Sequence, residues 1–211
     1  MNKKRKLVEK CTGLKKGALL DVGSGVGTFV NEMKQHGWDV TGIEPDRGAR
    51  TVAKKLYGLE LSGSDSFYHL PSFGFDAITL WHVLEHVHDL SVYVQQLKAL
   101  LKEKGRLFIA VPNYTSKDAA IYKEYWAAYD VPRHLYHFSS RSMQALMEKN
   151  GLKLLRYKPM WYDSFYISML SSKYKNGKTN LFSSFFNGFR SNLKAMSDVK
   201  RCSSVIYVIS K

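Results

Sequence analysis

Two carboxylates and three glycines are the residues of this 211-residue chain whose spacing points most directly to chemistry. Asp21 follows the apolar run Ala18-Leu19-Leu20, and Gly23, Gly25 and Gly27 then alternate with other residues. Glu44 closes the next apolar run, 19 residues after Gly25. A buried strand ending in a carboxylate, a turn stripped of side chains and a helix with free N-terminal N–H groups form a cradle for a polar ligand. In open α/β sheets ligands bind outside the carboxyl ends of the strands. A carboxylate at the end of the neighbouring strand suits the hydroxyls of a ribose, so the pattern reads as a pocket for a nucleoside-bearing cofactor. The spacing G-x-G-x-G departs from the dinucleotide fingerprint G-x-G-x-x-G, because Thr28 stands where the third glycine would fall. Two histidine clusters add candidate bases, since imidazole titrates near neutrality. One is His82, Glu85, His86 and His88; the other is Arg133-His134-Leu135-Tyr136-His137. His82-x-x-Glu85-His86 also offers three ligand types within one turn, a set that would suit zinc, manganese or iron better than magnesium. No metal is expected: Glu85 and His86 read equally as hydrogen-bonded anchors of the loop after a strand.

These residues need a scaffold that alternates strands and helices, which argues for a mostly parallel sheet. Strands are expected near 17–22, 38–43, 59–62, 75–80, 105–111, 152–158 and 204–210. Helices are expected near 26–36, 46–56, 90–102 and 140–150, the last capped by Ser139 or Ser140 and ended by Gly151. Two segments fall outside this minimal core, 113–138 and 160–203. The second carries Trp161, Tyr162, Phe165, Tyr166, Phe182, Phe185, Phe186 and Phe189. Aromatic insertions at the mouth of such a pocket suit an acceptor site and lid, and ordinary helical packing is the plainer alternative.

Four ordered motifs carry a resemblance. Asp21-Val22-Gly23-Ser24-Gly25-Val26-Gly27, Gly42-Ile43-Glu44-Pro45-Asp46, Phe75 to Val87 and Gly105 to Asn113 resemble the motifs of class I S-adenosylmethionine-dependent methyltransferases. Within that family the chain is most similar to the small-molecule subgroup that includes ubiquinone-type O-methyltransferases. The resemblance implies an α/β Rossmann-like methyltransferase fold. Its mostly parallel seven-stranded sheet would have helices on both faces and an antiparallel last strand between the fifth and sixth. S-adenosylmethionine would be the cofactor and S-adenosylhomocysteine the product. Asp21 and the turn Gly23, Ser24, Gly25 and Gly27 would face its methionine part, and Glu44 its ribose. Pro45, Ser64 and Asp65 would lie near the adenine, and Trp81 and His82 beneath the sulfonium. For transfer to a hydroxyl or amine, His86 or His134 is the expected base, with Arg133, Tyr136 and Trp161 binding the acceptor. The alternative for each histidine is a purely structural hydrogen bond. Some relatives carry Glu-x-x-Glu-His where this chain has His82-x-x-Glu85-His86, and bind a divalent ion there.

Length and a 45% hydrophobic content fit one domain over 1–211, with a core of about 17–158 plus 204–210. No run approaches the roughly 20 apolar residues of a membrane span, and the basic start lacks an apolar signal core. A cytoplasmic location is expected. The net charge of +14 sits on the ends: +6 in 1–16, +7 in 171–211 and +1 between. Such ends suit nucleic acid, an anionic membrane surface or an acidic substrate. The Phe182–Phe189 cluster beside Lys and Arg is compatible with an interfacial helix. A small-molecule acceptor is favoured over RNA or a nucleotide, because Leu80-Trp81-His82-Val83 stands where base methylation would call for an Asn-Pro-Pro-Tyr type motif. A third reading is a cofactor-binding relative without catalysis, since the roughly 16 residues before the first strand are shorter than the helical cap of many relatives.

Overall fold

The period of two along each strand decides the layering. The structure, a computed structural model, describes residues 1–178 and 181–211, and of Ser183 the main chain alone. Thr179 and Asn180, inside the 160–203 insertion, lie outside the described residues. Leu19 and Leu20, adjacent in β1 (Ala18–Val22), enter opposite cores. Leu19 packs with Ala77, Phe108 and Val208 beneath Val8, Phe29 and Met33, which lie on α1 (Asn2–Thr12) and α2 (Thr28–Gln35). Leu20 packs with Ile78, Ile109 and Tyr207 beneath Val94, Leu97, Met143 and Met147. These lie on the helix after α3 (Arg47–Tyr57), which is α4 (Leu90–Leu100), and on α6 (Ser140–Lys149). Helices therefore cover both faces, as expected.

The sheet order is β2 (Asp39–Ile43), β1, β3 (Phe75–Trp81), β4 (Leu101–Pro112), β6 (Ser204–Ser210) and β5 (Lys153–Pro159). β2, β1, β3 and β4 run parallel, and β6 is antiparallel to both its neighbours. Among the described residues the sheet has six strands rather than the expected seven. At 59–62 only Ser62 bridges Ile43, through a pair of 2.9 Å hydrogen bonds. Leu59 and Leu61 pack instead against the Gly27 and Gly42 main chain, which holds the segment beside the sheet edge without a ladder. The helix ends follow their side chains. Asp46 accepts from Ala49 N–H at 2.6 Å, and Ser139 closes a capping box with Ser142.

Among the described residues, four helices lie outside the four expected spans. α1 forms from the basic start because Leu7, Val8 and Cys11 share one face, and Gly13 closes it at φ 75°. The insertions supply α5 (Lys117–Tyr122), α7 (Asp163–Asn176) and α8 (Leu181–Ser197). Asp118, fully buried, joins them to the sheet. Its carboxylate accepts from Trp126 Nε1 at 2.8 Å and from the Ser191 and Ser203 hydroxyls at 2.7 Å each. Three donors offset the desolvation that an unpaired buried carboxylate would suffer.

Candidate active site

Parallel pairing of β1 with β3 sets Asp21 beside Thr79, whose hydroxyl donates to Asp21 Oδ1 at 2.5 Å. Burial pushes the Asp21 carboxyl up to about 6, opposed by the Thr79 hydroxyl and the Lys4 ammonium. The three turn glycines all have φ between 54° and 79°, the left-handed region, but for different reasons. A Cβ on Gly23 would strike Val83, and one on Gly27 would lie 2.8 Å from Leu59 Cδ1. A Cβ on Gly25 would meet nothing within 4 Å, so Gly25 leaves an open cradle at the carboxyl end of β1. Glu44, at the end of β2, is fixed beside that cradle. Its Oε2 accepts from Gly25 N–H at 2.7 Å and its Oε1 from Asp46 N–H at 2.9 Å. Ser24 turns inward, its hydroxyl donating to the Asp21 carbonyl at 2.8 Å. Pro45 lies exposed at the rim, and Ser64 and Asp65 are exposed at the start of a short turn beyond it.

Trp81 ends β3 with its ring buried edge-on to Phe29, the centroids 5.6 Å apart. Its Nε1 is buried without a hydrogen-bond partner, a donor that a polar group in the cleft would satisfy. Over the ring stands Lys4 Nζ of α1, 4.2 Å from the centroid. Burial lowers the Lys4 pKa, while Asp21 and Asp163 pull it up. Neither Lys4 nor Asp163 was singled out from the sequence. The basic run at the start hid the first among its neighbours, and the second has no motif around it.

The acceptor end begins at His82, whose φ of 59° is a strained value for a non-glycine residue. Its Nε2 is 2.9 Å from Asp163 Oδ2 and its Nδ1 is 3.3 Å from Glu85 Oε1. Burial opposes its charge, but the two carboxylates push its pKa up to about 9, which favours the imidazolium. His82, Glu85, Asp130, Arg133, His134 and Asp163 line a cavity of about 310 Å³, closed by Tyr166, Ile167, Leu170 and Tyr174 of α7. His134 has the opposite character. Its Nδ1 lies 2.9 Å from the Ala128 carbonyl, which only accepts, so Nδ1 carries the hydrogen and Nε2 keeps its lone pair. Burial lowers its pKa, which favours neutral imidazole.

The remaining expected residues separate. Arg133 lines the cavity and pairs with Asp130 at 2.8 Å. His86 is exposed and held through Nδ1 by the Arg133 carbonyl at 2.9 Å, its ring 4.7 Å from that of His134. Tyr136 is spent on the His88 carbonyl at 3.0 Å, outside the cavity lining. Trp161 lines a different groove of about 690 Å³ with Lys4, Leu7 and Met160; Asp163 borders both spaces. Among the described residues, Glu85, His86 and His134 bring one ligand atom each within 4.8 Å of one another. His134 thus stands with Glu85 and His86 where the sequence had offered His82, which is held by Asp163 and Glu85 instead.

Comparison with known proteins gives the family and the fold. Residues 2–157 match the family described as a methyltransferase domain. Over 162 residues the chain is 32% identical to the ubiquinone biosynthesis O-methyltransferase of Bordetella avium, covering 67% of this chain and 66% of that protein. Over 164 residues it is 28% identical to the human mitochondrial protein of the same description, covering 70% of this chain and 44% of that one. The chain thus spans less than two thirds of the length of these relatives. A solved S-adenosylmethionine-dependent methyltransferase from Archaeoglobus fulgidus shares the fold, with a TM-score of 0.64 at 17% identity over 100% of this chain and 91% of that one. Since the matched stretch covers most of the chain, from α1 to β5, and takes in the glycine cradle, the chain belongs to the methyltransferase domain family.

Proposed function

We propose that the chain transfers a methyl group from S-adenosylmethionine to an oxygen or nitrogen of a small-molecule acceptor. The observation that carries this reading is the open cradle at Gly25, flanked by Asp21 and Glu44, next to a cavity that presents a neutral imidazole. The O-methyltransferase relatives favour oxygen. When bound, the cofactor supplies a methyl group already activated by the positive sulfur. Glu44, held by two main-chain N–H groups, takes the ribose hydroxyls. The turn from Gly23 to Gly27 and Asp21 receive the methionine part. Pro45, Ser64 and Asp65 border the adenine, and Trp81 forms the floor.

His134 Nε2 takes the proton from the acceptor, while the Ala128 carbonyl holds the tautomer that leaves this nitrogen free. The His82 imidazolium, held positive by Asp163 and Glu85, steadies the oxyanion that deprotonation leaves. Arg133 orients the acceptor, and Tyr166, Ile167, Leu170 and Tyr174 exclude water from it. The reading takes all 211 residues as one unit, the insertions closing the acceptor side, and assigns no step to a metal ion.

Thermal melting with S-adenosylhomocysteine, against a nicotinamide dinucleotide control, tests it. A ligand at 100 times its Kd adds about 2.7 kcal/mol to stability. A rise in Tm with S-adenosylhomocysteine alone is expected, and no rise would overturn the reading. Lys4 motivates a second reading, cofactor binding without turnover, because its ammonium stands over the Trp81 ring. Binding without turnover on any hydroxyl or amine acceptor would favour it.

A further inference from the structure

The helix α8 is built inside out. A helix in water normally buries its large apolar residues and exposes its polar ones. Here the buried face of α8 is made of Ser184, Gly188, Ser191 and Ala195, and Gly188 forms the seam with Phe165 of α7. The two helices approach so closely that a Cβ on Gly188 would lie 2.8 Å from Phe165 Cδ1. The large side chains point the other way. Phe182, Phe185, Phe186, Phe189, Leu193 and Met196 recur at three- and four-residue steps on the outer face of α8, and Phe182 is 91% exposed. A contiguous apolar stripe of this kind marks a surface that another apolar phase covers.

Charge identifies the occupant. Residues 164–197 carry Lys173, Lys175, Lys178, Arg190 and Lys194 and no Asp or Glu. A second copy seated on this face would bring two cationic surfaces together. A nucleic acid would satisfy the charge, but its bases have no use for Leu193 and Met196. An anionic lipid bilayer answers both features: acyl chains take the apolar stripe and headgroup phosphates take the cations. No described helix is long and apolar enough to cross a membrane, so α8 lies in the interface plane.

We infer that the outer face of α8 is a docking surface for an anionic bilayer. Its position adds a consequence. α7, packed on the other side of the seam, lines the His82–His134 cavity with Tyr166, Ile167, Leu170 and Tyr174. Docking would hold that cavity close to the lipid surface, where an amphiphilic molecule partitions. The inference stands on the surface alone and does not need the methyl-transfer reading.

Co-sedimentation of the full chain with vesicles of phosphatidylcholine, with and without phosphatidylglycerol, tests it. Binding is expected with phosphatidylglycerol only, weakened by salt. The variant Phe182→Ser/Phe186→Ser changes two exposed residues and should melt as the parent does. Its vesicle-bound fraction should fall by about tenfold or more, since burial of the two rings drives insertion. A parent chain that stays in the supernatant with phosphatidylglycerol at low salt overturns the proposal, as does a serine variant that binds like the parent. Two further results overturn it: light scattering that shows a dimer dispersed by the serine pair, and retention of RNA, but not vesicles, that is lost with the serine pair.

Discussion

The two ends of the cleft are built from different material. The cofactor end is mostly main chain: a five-residue turn, its N–H groups and a carboxylate that they hold rigid. The acceptor end is all side chain, gathered from residues 82–85, 127–134 and 163–174. A main-chain cradle needs few residues close in sequence, and its geometry hardly varies. A side-chain cavity needs segments far apart in sequence, and each of its charges is tuned by a distant partner. His82 and His134 make the contrast sharp, for one is driven to imidazolium by carboxylates and the other to neutrality by burial.

Substitutions should separate the two ends. The largest effect is expected at the acceptor end. His134→Ala should lower kcat by about 100- to 10,000-fold, the usual worth of a general base, with S-adenosylhomocysteine affinity unchanged. An equal loss of affinity would mean that the ends are one unit. Gly25→Val is the converse case. Its side chain fills the cradle, and with lost contacts of roughly 1.5–3 kcal/mol each, affinity should fall by about 100-fold. The left-handed φ adds a strain of about 1–2 kcal/mol, so Tm drops only modestly. Calorimetry and melting read the two quantities apart.

Proton linkage gives smaller, signed effects. Asp21 must be ionised to meet a cationic ligand, so cofactor affinity should be full above about pH 6 and decline as pH falls through that value. Asp21→Asn should flatten the profile. His82 behaves oppositely. The folded state holds its proton more tightly than the unfolded chain does, so its contribution to stability is full below pH 6.5 and lost as pH rises through about 9. The ring is 35% exposed, and screening trims the loss to on the order of 1 kcal/mol. Urea titrations of the parent and His82→Gln between those pH values measure it. The smallest expected effect is none at all: dialysis against a chelator should leave turnover unchanged. Loss that manganese or zinc restores would make Glu85, His86 and His134 ligands.

The same contrast explains what the sequence made legible. The alternation of strands with helices and the Ser139 cap were readable because each depends on local pattern and turn chemistry, whereas the antiparallel insertion of β6 was legible only through the family resemblance. The edge segment at 59–62 misled because its apolar pair Leu59 and Leu61 reads as a strand, while the structure spends both on packing against glycines. His134 stood out by its chemistry. What suits it to the proposed role of base, the Ala128 carbonyl and its burial, lies outside any motif. The pairing of His82 with Asp163 was not legible because the two lie 81 residues apart in the chain. The Phe182–Phe189 run hinted at a helix, but the spans of α7 and α8 were not legible because the large apolar residues of α8 face outward, where a search for a buried face does not look.

The place of β6 has a consequence for the order of synthesis. β4 is complete at Pro112, but the strand that pairs with it begins at Ser204. At about 5–20 residues per second, a ribosome needs roughly five to twenty seconds to deliver one after the other. During that interval the Leu107–Val111 edge, fully buried in the finished protein, stands unpaired, with β5 still awaiting β6. An open apolar edge is an invitation to aggregation. The nascent chain is therefore most vulnerable while the α7–α8 hairpin is emerging, and slow or faulty hairpin formation should reduce yield in the cell more than it reduces the stability of the folded protein.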